Sequence, residues 1–308
     1  MNKYLFMALL SIVIISCSKS NDTSGSEPSF PDNLNGWQLI NTDFTGLTDV
    51  FFISPAKGFI TGKGLYRTLD SGKTWTRIFR NEFFNIQFLD EKYGYTCGPG
   101  GIFSFTTDGG SSWDTVVRGP HNPQDIHFLT PSTGFVTSTD GIFKTVDTGH
   151  NWQKVASGWG NAIDFAGNTG WVTTRYSGLL KTMDGGNTWS NTSLAFENQH
   201  MPFLYNQNTG WVAGDSILYK STDAGATWKK SSIPKGYHDI QFLNASIGFM
   251  TGNKALFRSS NGGDSWEEIV KMNKVDFVEL FFLDGNTGWA VGNYDTYPFK
   301  GVLLRLKK

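Results

Sequence analysis

The sequence predicts an all-β fold, a seven-bladed β-propeller with four antiparallel strands per blade, and three observations carry that prediction. The pattern Ser/Thr-x-Asp-x-Gly-x-x-Trp recurs at Thr68 to Trp75, Thr106 to Trp113, Thr145 to Trp152, Thr182 to Trp189, Ser221 to Trp228 and, with Asn261 in place of Asp, Ser259 to Trp266. A glycine followed by an aromatic residue recurs seven times, at Gly58-Phe59, Gly94-Tyr95, Gly134-Phe135, Gly170-Trp171, Gly210-Trp211, Gly248-Phe249 and Gly288-Trp289. The composition, 15% aromatic with 36 glycines and only 17% charged residues, suits short strands joined by glycine-rich turns.

From the N-terminus, residues 1–16 carry a basic Lys3, an apolar run from Tyr4 to Ile15, and Ser16 directly before Cys17. The run is short for a span of about 20 residues. This segment resembles a bacterial lipoprotein signal peptide, a resemblance that implies removal of residues 1–16 and acylation at Cys17. Residues 17–32 then form a lipidated cysteine and a polar, Ser-rich tether without the apolar surface needed to fold. The propeller is expected over residues 33–308.

Within that body each repeat reads as four strands. An inner strand has the form apolar-x-Phe, as in Val50-Phe51-Phe52, Ile86-Gln87-Phe88, Ile126-His127-Phe128, Ile163-Asp164-Phe165, Ile240-Gln241-Phe242 and Leu280-Phe281-Phe282, and the fifth repeat departs with Pro202-Phe203-Leu204. The glycine–aromatic strand follows, then a third strand such as Gly141 to Thr145, then the Asp-containing turn, and a fourth strand begun by the turn's Trp. In the turn, Asp70, Asp108, Asp147, Asp184, Asp223 and Asn261 are expected to accept backbone N–H groups while a glycine takes φ > 0. The Trp is expected to be buried and its N–H to find an acceptor. Spacings of 37 to 39 residues between the turns match a propeller blade. The seventh repeat lacks a turn and a Trp strand, so Trp37 to Ile40 is expected to close it from outside, leaving no open edge.

The recurring turn resembles the Asp-box, or bacterial neuraminidase repeat. With the Gly-Trp-x-x-Gly strands in front of it, the region 33–308 is similar to the photosystem II assembly and stability factor family of seven-bladed propellers. That resemblance implies a platform that holds protein partners without catalysing a reaction, and no contact residue of the family can be carried over.

A carboxylate once per repeat serves the repeat, so the six turn residues are read as structural rather than as a catalytic or metal-binding ring. A net charge of -1 offers no basic field for nucleic acid. Loops joining second to third strands, and fourth strands to the next blade, share one face, which holds Arg80, Arg118, His121, Trp159, Arg175, Tyr176, Tyr237 and His238. Such aromatics and cations suit recognition of a protein partner, with a glycan as the alternative. A sialidase-like enzyme would use three arginines, for which Arg80, Arg118 and Arg175 are candidates, but no Arg-Ile-Pro motif or nucleophile pair accompanies them. Glycoside hydrolysis needs two carboxyls at defined separation, and Glu82, Asp140, Glu197 and Asp215 present no distinguished pair. The five histidines lack metal-ligand spacing, and no metal or cofactor is expected. Asp49, Asn85, Asp125, Asp239 and Glu279 precede inner strands and are expected to line the central channel with bound water. Cys97 aligns with Ala213 and reads as a small core residue. The expected protein is a non-enzymatic bacterial envelope lipoprotein, periplasmic or surface-exposed, held to the membrane by its lipid anchor only.

Overall fold

Aromatic and β-branched residues at alternate positions, punctuated by glycine turns, build seven four-stranded antiparallel sheets among the described residues. The computed structural model describes residues 34–41, 43–116, 119–195, 201–214, 216–252 and 254–307. The expected signal peptide, Cys17 and the tether lie outside them. Blade one runs from an inner strand Asp49–Phe52 through Gly58–Thr61 and Leu65–Thr68 to an outer strand Thr76–Phe79, and blades two to six repeat that order along the chain. Blade seven takes its three inner strands from Val275–Asp284, Thr287–Tyr294 and Gly301–Lys307. Its outer strand is Trp37–Asn41, with Trp37 opposite Leu306 and Leu39 opposite Leu304. The ring therefore closes as expected. Trp37 is buried and meets Phe282 edge to face, ring centroids 5.8 Å apart.

The glycine–aromatic motif holds blade to blade. The phenylalanine ending each inner strand lies over the glycine of its own second strand, where a Cβ would collide with the ring: Phe52 on Gly58, Phe88 on Gly94, Phe128 on Gly134, Phe165 on Gly170. Its other side stacks on the second-strand aromatic of the preceding blade. The pairs are Trp289 with Phe52 (3.5 Å between centroids), Tyr95 with Phe128 (3.6 Å), Trp211 with Phe242 (3.7 Å) and Phe249 with Phe282 (3.9 Å). Phe59 with Phe88 and Phe135 with Phe165 are looser, at 4.7 and 4.9 Å. Blade five, with Leu204 in the phenylalanine's place, still forms its inner strand Met201–Leu204. There Trp171 packs with Leu204 and fills the space over Gly210.

The Asp-box is built from within, as expected. In blade four, Thr182 Oγ1 donates to Asp184 Oδ1 (2.7 Å), and the N–H and hydroxyl of Thr188 donate to Asp184 at 2.9 and 2.6 Å. Gly186, at φ 74°, donates its N–H to Thr182 Oγ1. The same set surrounds Asp70, Asp108 and Asp223, and at Asp147 the Asn151 side-chain amide donates in place of the hydroxyl. Asn261 reproduces it with an amide, its Oδ1 accepting from Ser265 N–H and its Nδ2 donating to Ser265 Oγ. The box tryptophans differ from expectation. They are half-buried rather than buried, and the outer strands start one residue later, as at Thr76 and Ser190. Only the Trp75 N–H of the six reaches a carbonyl, Gly72 O at 2.9 Å, while those of Trp113, Trp152, Trp189, Trp228 and Trp266 have no partner. Edge-to-face contact with strand phenylalanines, as of Trp152 with Phe103 at 5.5 Å, sets these rings instead.

At the channel wall the acidic residues bind backbone N–H groups of neighbouring blades. Asp49 accepts from Val50 N–H and, across the blade boundary, from Ile86 N–H at 2.7 Å. Asp125 reaches Ile163 N–H (3.0 Å), Asp239 reaches Leu280 N–H (3.2 Å) and Asp164 reaches Leu204 N–H (2.6 Å). Gln87 and Gln241 each both accept from and donate to the backbone of the next blade's phenylalanine, Phe128 and Phe282. These side chains staple each inner strand to its neighbour, satisfying backbone groups that the ring's curvature leaves without a ladder partner.

Candidate functional site

The face opposite the Asp-boxes is formed by the second-to-third-strand turns and the connections between blades. In blade four, Thr174 Oγ1 accepts from Ser177 N–H and donates to Gly178 O, and Gly178 takes φ 73°, which makes a tight turn with Arg175 and Tyr176 at its tip. Arg175 N–H donates to Trp159 O at 2.9 Å, bringing the inter-blade connection alongside. The Arg175 guanidinium then sits 4.4 Å from the Trp159 ring centroid and 5.5 Å from that of Tyr176. Tyr176 is 73% exposed. A cation held between two rings keeps its donors oriented without being spent on a carboxylate.

Three of the expected face residues therefore come together as one cluster. The others do not join it. Arg80 and His121 are exposed on the connections leading to blades two and three. Tyr237 is half-buried, its hydroxyl donating to Ala213 O at 2.5 Å, so it serves the junction of blades five and six. His238 is half-buried beside it. Arg118, Glu197, His200 and Asp215 lie outside the described residues.

One exposed aromatic on this face was not singled out by sequence. Tyr297, 85% exposed, tops the turn between the second and third strands of blade seven. That turn is held from both sides: Lys254 Nζ pairs with Asp295 at 2.6 Å, Asp295 N–H donates to Lys274 O, and Asn293 grips the Leu47 N–H and C=O through its amide at 2.7 and 2.8 Å. The length of the Asn293 to Lys300 segment marks it in the sequence as a loop of this face, without distinguishing Tyr297 within it.

Chemistry elsewhere is restrained by burial. Cys97 is buried, and burial pushes its thiol well above the ordinary range, away from a reactive thiolate. His127 Nδ1 lies 3.5 Å from Asp164 Oδ1 at the channel wall. Burial lowers the imidazole to about 4 and raises the Asp164 carboxyl to about 7, the latter opposed by the Leu204 and Phe165 N–H groups. Among the described residues no group of three His, Cys, Asp or Glu side chains could hold a metal ion.

The model of the family "Photosynthesis system II assembly factor YCF48" matches residues 32–165 and 160–236, more than half of the chain. The chain is 30% identical over 123 residues to the photosystem II stability/assembly factor HCF136 of Arabidopsis thaliana, covering 35% of this chain and 30% of that protein. It is 25% identical over 168 residues to the photosystem II assembly lipoprotein Ycf48 of Synechococcus sp. (strain CC9902), half of each chain. The chain thus spans half or less of the curated relatives it matches. Among solved structures, YCF48 bound to D1 peptide superposes with a TM-score of 0.71 at 23% identity, over 92% of this chain and 100% of that one, a likeness of fold.

Proposed function

Since this chain belongs to the photosynthesis system II assembly factor YCF48 family, we propose that it is a non-catalytic assembly propeller that binds a segment of a protein partner on its loop face. The observation that carries this reading is the Trp159–Arg175–Tyr176 cluster. It offers an oriented cation and an exposed aromatic on a rigid turn, the residue types that anchor protein interfaces. A solved relative is bound to a peptide, which supports a peptide-like ligand here. Arg80, His121 and Tyr297 extend the face around the ring, while Tyr237 contributes through the blade junction.

The same reading places the protein on a bacterial envelope membrane through an acylated Cys17 after loss of residues 1–16. The relative named as a lipoprotein supports it. Crosslinking of the wild-type protein in intact membranes, followed by capture, tests the platform: a discrete partner band should weaken in Arg175→Ala and Tyr176→Ala, with melting temperature unchanged. An identical band from both variants would remove this cluster from the binding face. Labelled fatty acid should enter the wild-type chain and not Cys17→Ala, and equal labelling would end the lipoprotein reading.

A further inference from the structure

In four of the six boxes the residue before the Ser or Thr reaches from the third strand of its blade toward the next blade. Arg67 donates to Gly110 O at 2.8 Å, and Phe105 meets His150 edge to face at 5.5 Å. Lys144 Nζ donates to Asn187 Oδ1 at 2.7 Å and to Gly185 O at 3.3 Å. Lys220 Nζ donates to Ala245 O and feels the charge of Asp264. For Phe105 and Lys144 the partner includes the third residue after the box Asp, His150 and Asn187, whereas Asp264 at that position is paired with Lys229 at 2.7 Å.

Lys181 departs from this pattern. The third residue after Asp223 is Ala226, whose methyl offers an ammonium nothing, and the Lys181 side chain has no hydrogen bond or ion pair among the described residues. The outer strand of blade four, Ser190–Asn191, is only two residues long. Between it and the box of blade five lies a cavity of about 430 Å³ lined by Lys181, Met183, Asn191, Ser193, Gly225 and Ala226 among others. It is an open, polar-lined depression rather than an enclosed cavity.

We infer that this cavity binds an acidic sugar, a hexuronate whose carboxylate takes the place on Lys181 that Asn187 fills on Lys144. On the strand face that carries Lys181, Ser190 and Thr192 line the same cavity, and their hydroxyls suit sugar hydroxyls. Thr188 already donates to Asp184 and adds an acceptor only. Met183, 64% exposed, supplies an apolar flank for the sugar's C–H face. The cavity is on the Asp-box side of the ring, so it is independent of the loop-face cluster.

Amide NMR of the full chain tests the assignment with sodium glucuronate, glucose and sodium acetate as probes. Glucuronate should shift Asn191, Gly225 and Ala226 saturably with half-saturation on the order of 1 mM, and glucose and acetate should each bind about tenfold more weakly. Lys181→Gln should weaken glucuronate about tenfold. Ala226→Asn should do the same by restoring the internal partner seen at Asn187, and it introduces a residue that the blade-four box already carries at that position. Absence of saturation by about 50 mM, an equal response to acetate, or undiminished binding in both variants overturns the inference.

Discussion

Asp164 and Asp184 stand on one blade, twenty residues apart, and meet opposite conditions. Asp164, at the channel wall, is pushed up to about 7 by burial although two N–H groups donate to it. Asp184, at the rim, is held well below the usual carboxylate range by the Thr188 hydroxyl and N–H. The wall carboxylate reaches the next blade, whereas every bond of the rim carboxylate stays within its own turn. The difference teaches where cooperativity resides. The wall carboxylates couple blades directly; the box carboxylates close their own turns, and a box meets the preceding blade through other groups, such as the Gly110 carbonyl that accepts from Arg67.

The largest effect should come from the stacked aromatics behind the wall. Trp289→Ala, removing a fully buried ring stacked on Phe52, should cost about 3–5 kcal/mol in urea unfolding. Trp189→Ala, at the half-exposed rim, should cost roughly half of that or less. Equal losses would erase the distinction.

Next come the staples. Asp49→Ala leaves the buried Ile86 N–H without its acceptor and should cost about 1–3 kcal/mol. Asp70→Asn should leave the melting temperature near wild type, since Asn261 already completes a box with an amide. A larger loss from Asp70→Asn than from Asp49→Ala would reverse the assignment of roles.

Acid should separate the two regions further. Asp70 and Asp223 are held down to about 2 from the ordinary 3.8, chiefly by the Thr74 and Thr227 hydroxyls. Their folded values are depressed, so their contribution is full above about pH 4 and is lost as pH falls toward 2. Amide exchange in the Asp boxes should quicken over that window, while the Asn261 box stays unchanged.

The smallest effect concerns the wall pair. The raised Asp164 favours folding below its ordinary value and loses that advantage as pH rises toward 7. The lowered His127 favours folding above 6.5 and loses that as pH falls toward 4. The two slopes oppose each other, so the wild-type melting temperature should be nearly flat from pH 4.5 to 6.5. Asp164→Asn should make it rise with pH and His127→Gln should make it fall; parallel flat profiles in both variants would show that the pair does not titrate in this range.

Blade number, the boxes and the closing strand were legible because each follows from a local pattern: Trp37 announces an outer strand with no blade before it. The staples were not. Asp49, Asp125 and Asp239 look alike in sequence whether they hold water or a neighbouring N–H, because the neighbour is fixed only when the ring closes. The meeting of Trp159 with Arg175 likewise depends on a turn and a connection lying side by side. The Lys181 and Ala226 mismatch was present in the aligned boxes, but its meaning required knowing that a third strand touches the following box.

Joining Trp37 to Leu306 also imposes an order in time. Blades one to six each hold all four strands in one continuous run and can form as synthesis proceeds, whereas the Trp37 strand has no mate until residues 301–307 exist. A pairing across almost the whole chain carries the highest loop-closure entropy and forms slowly. An interrupted chain would therefore carry an unpaired strand at its start, a visible mark of incompleteness that chaperones and proteases can act on before any partner is bound.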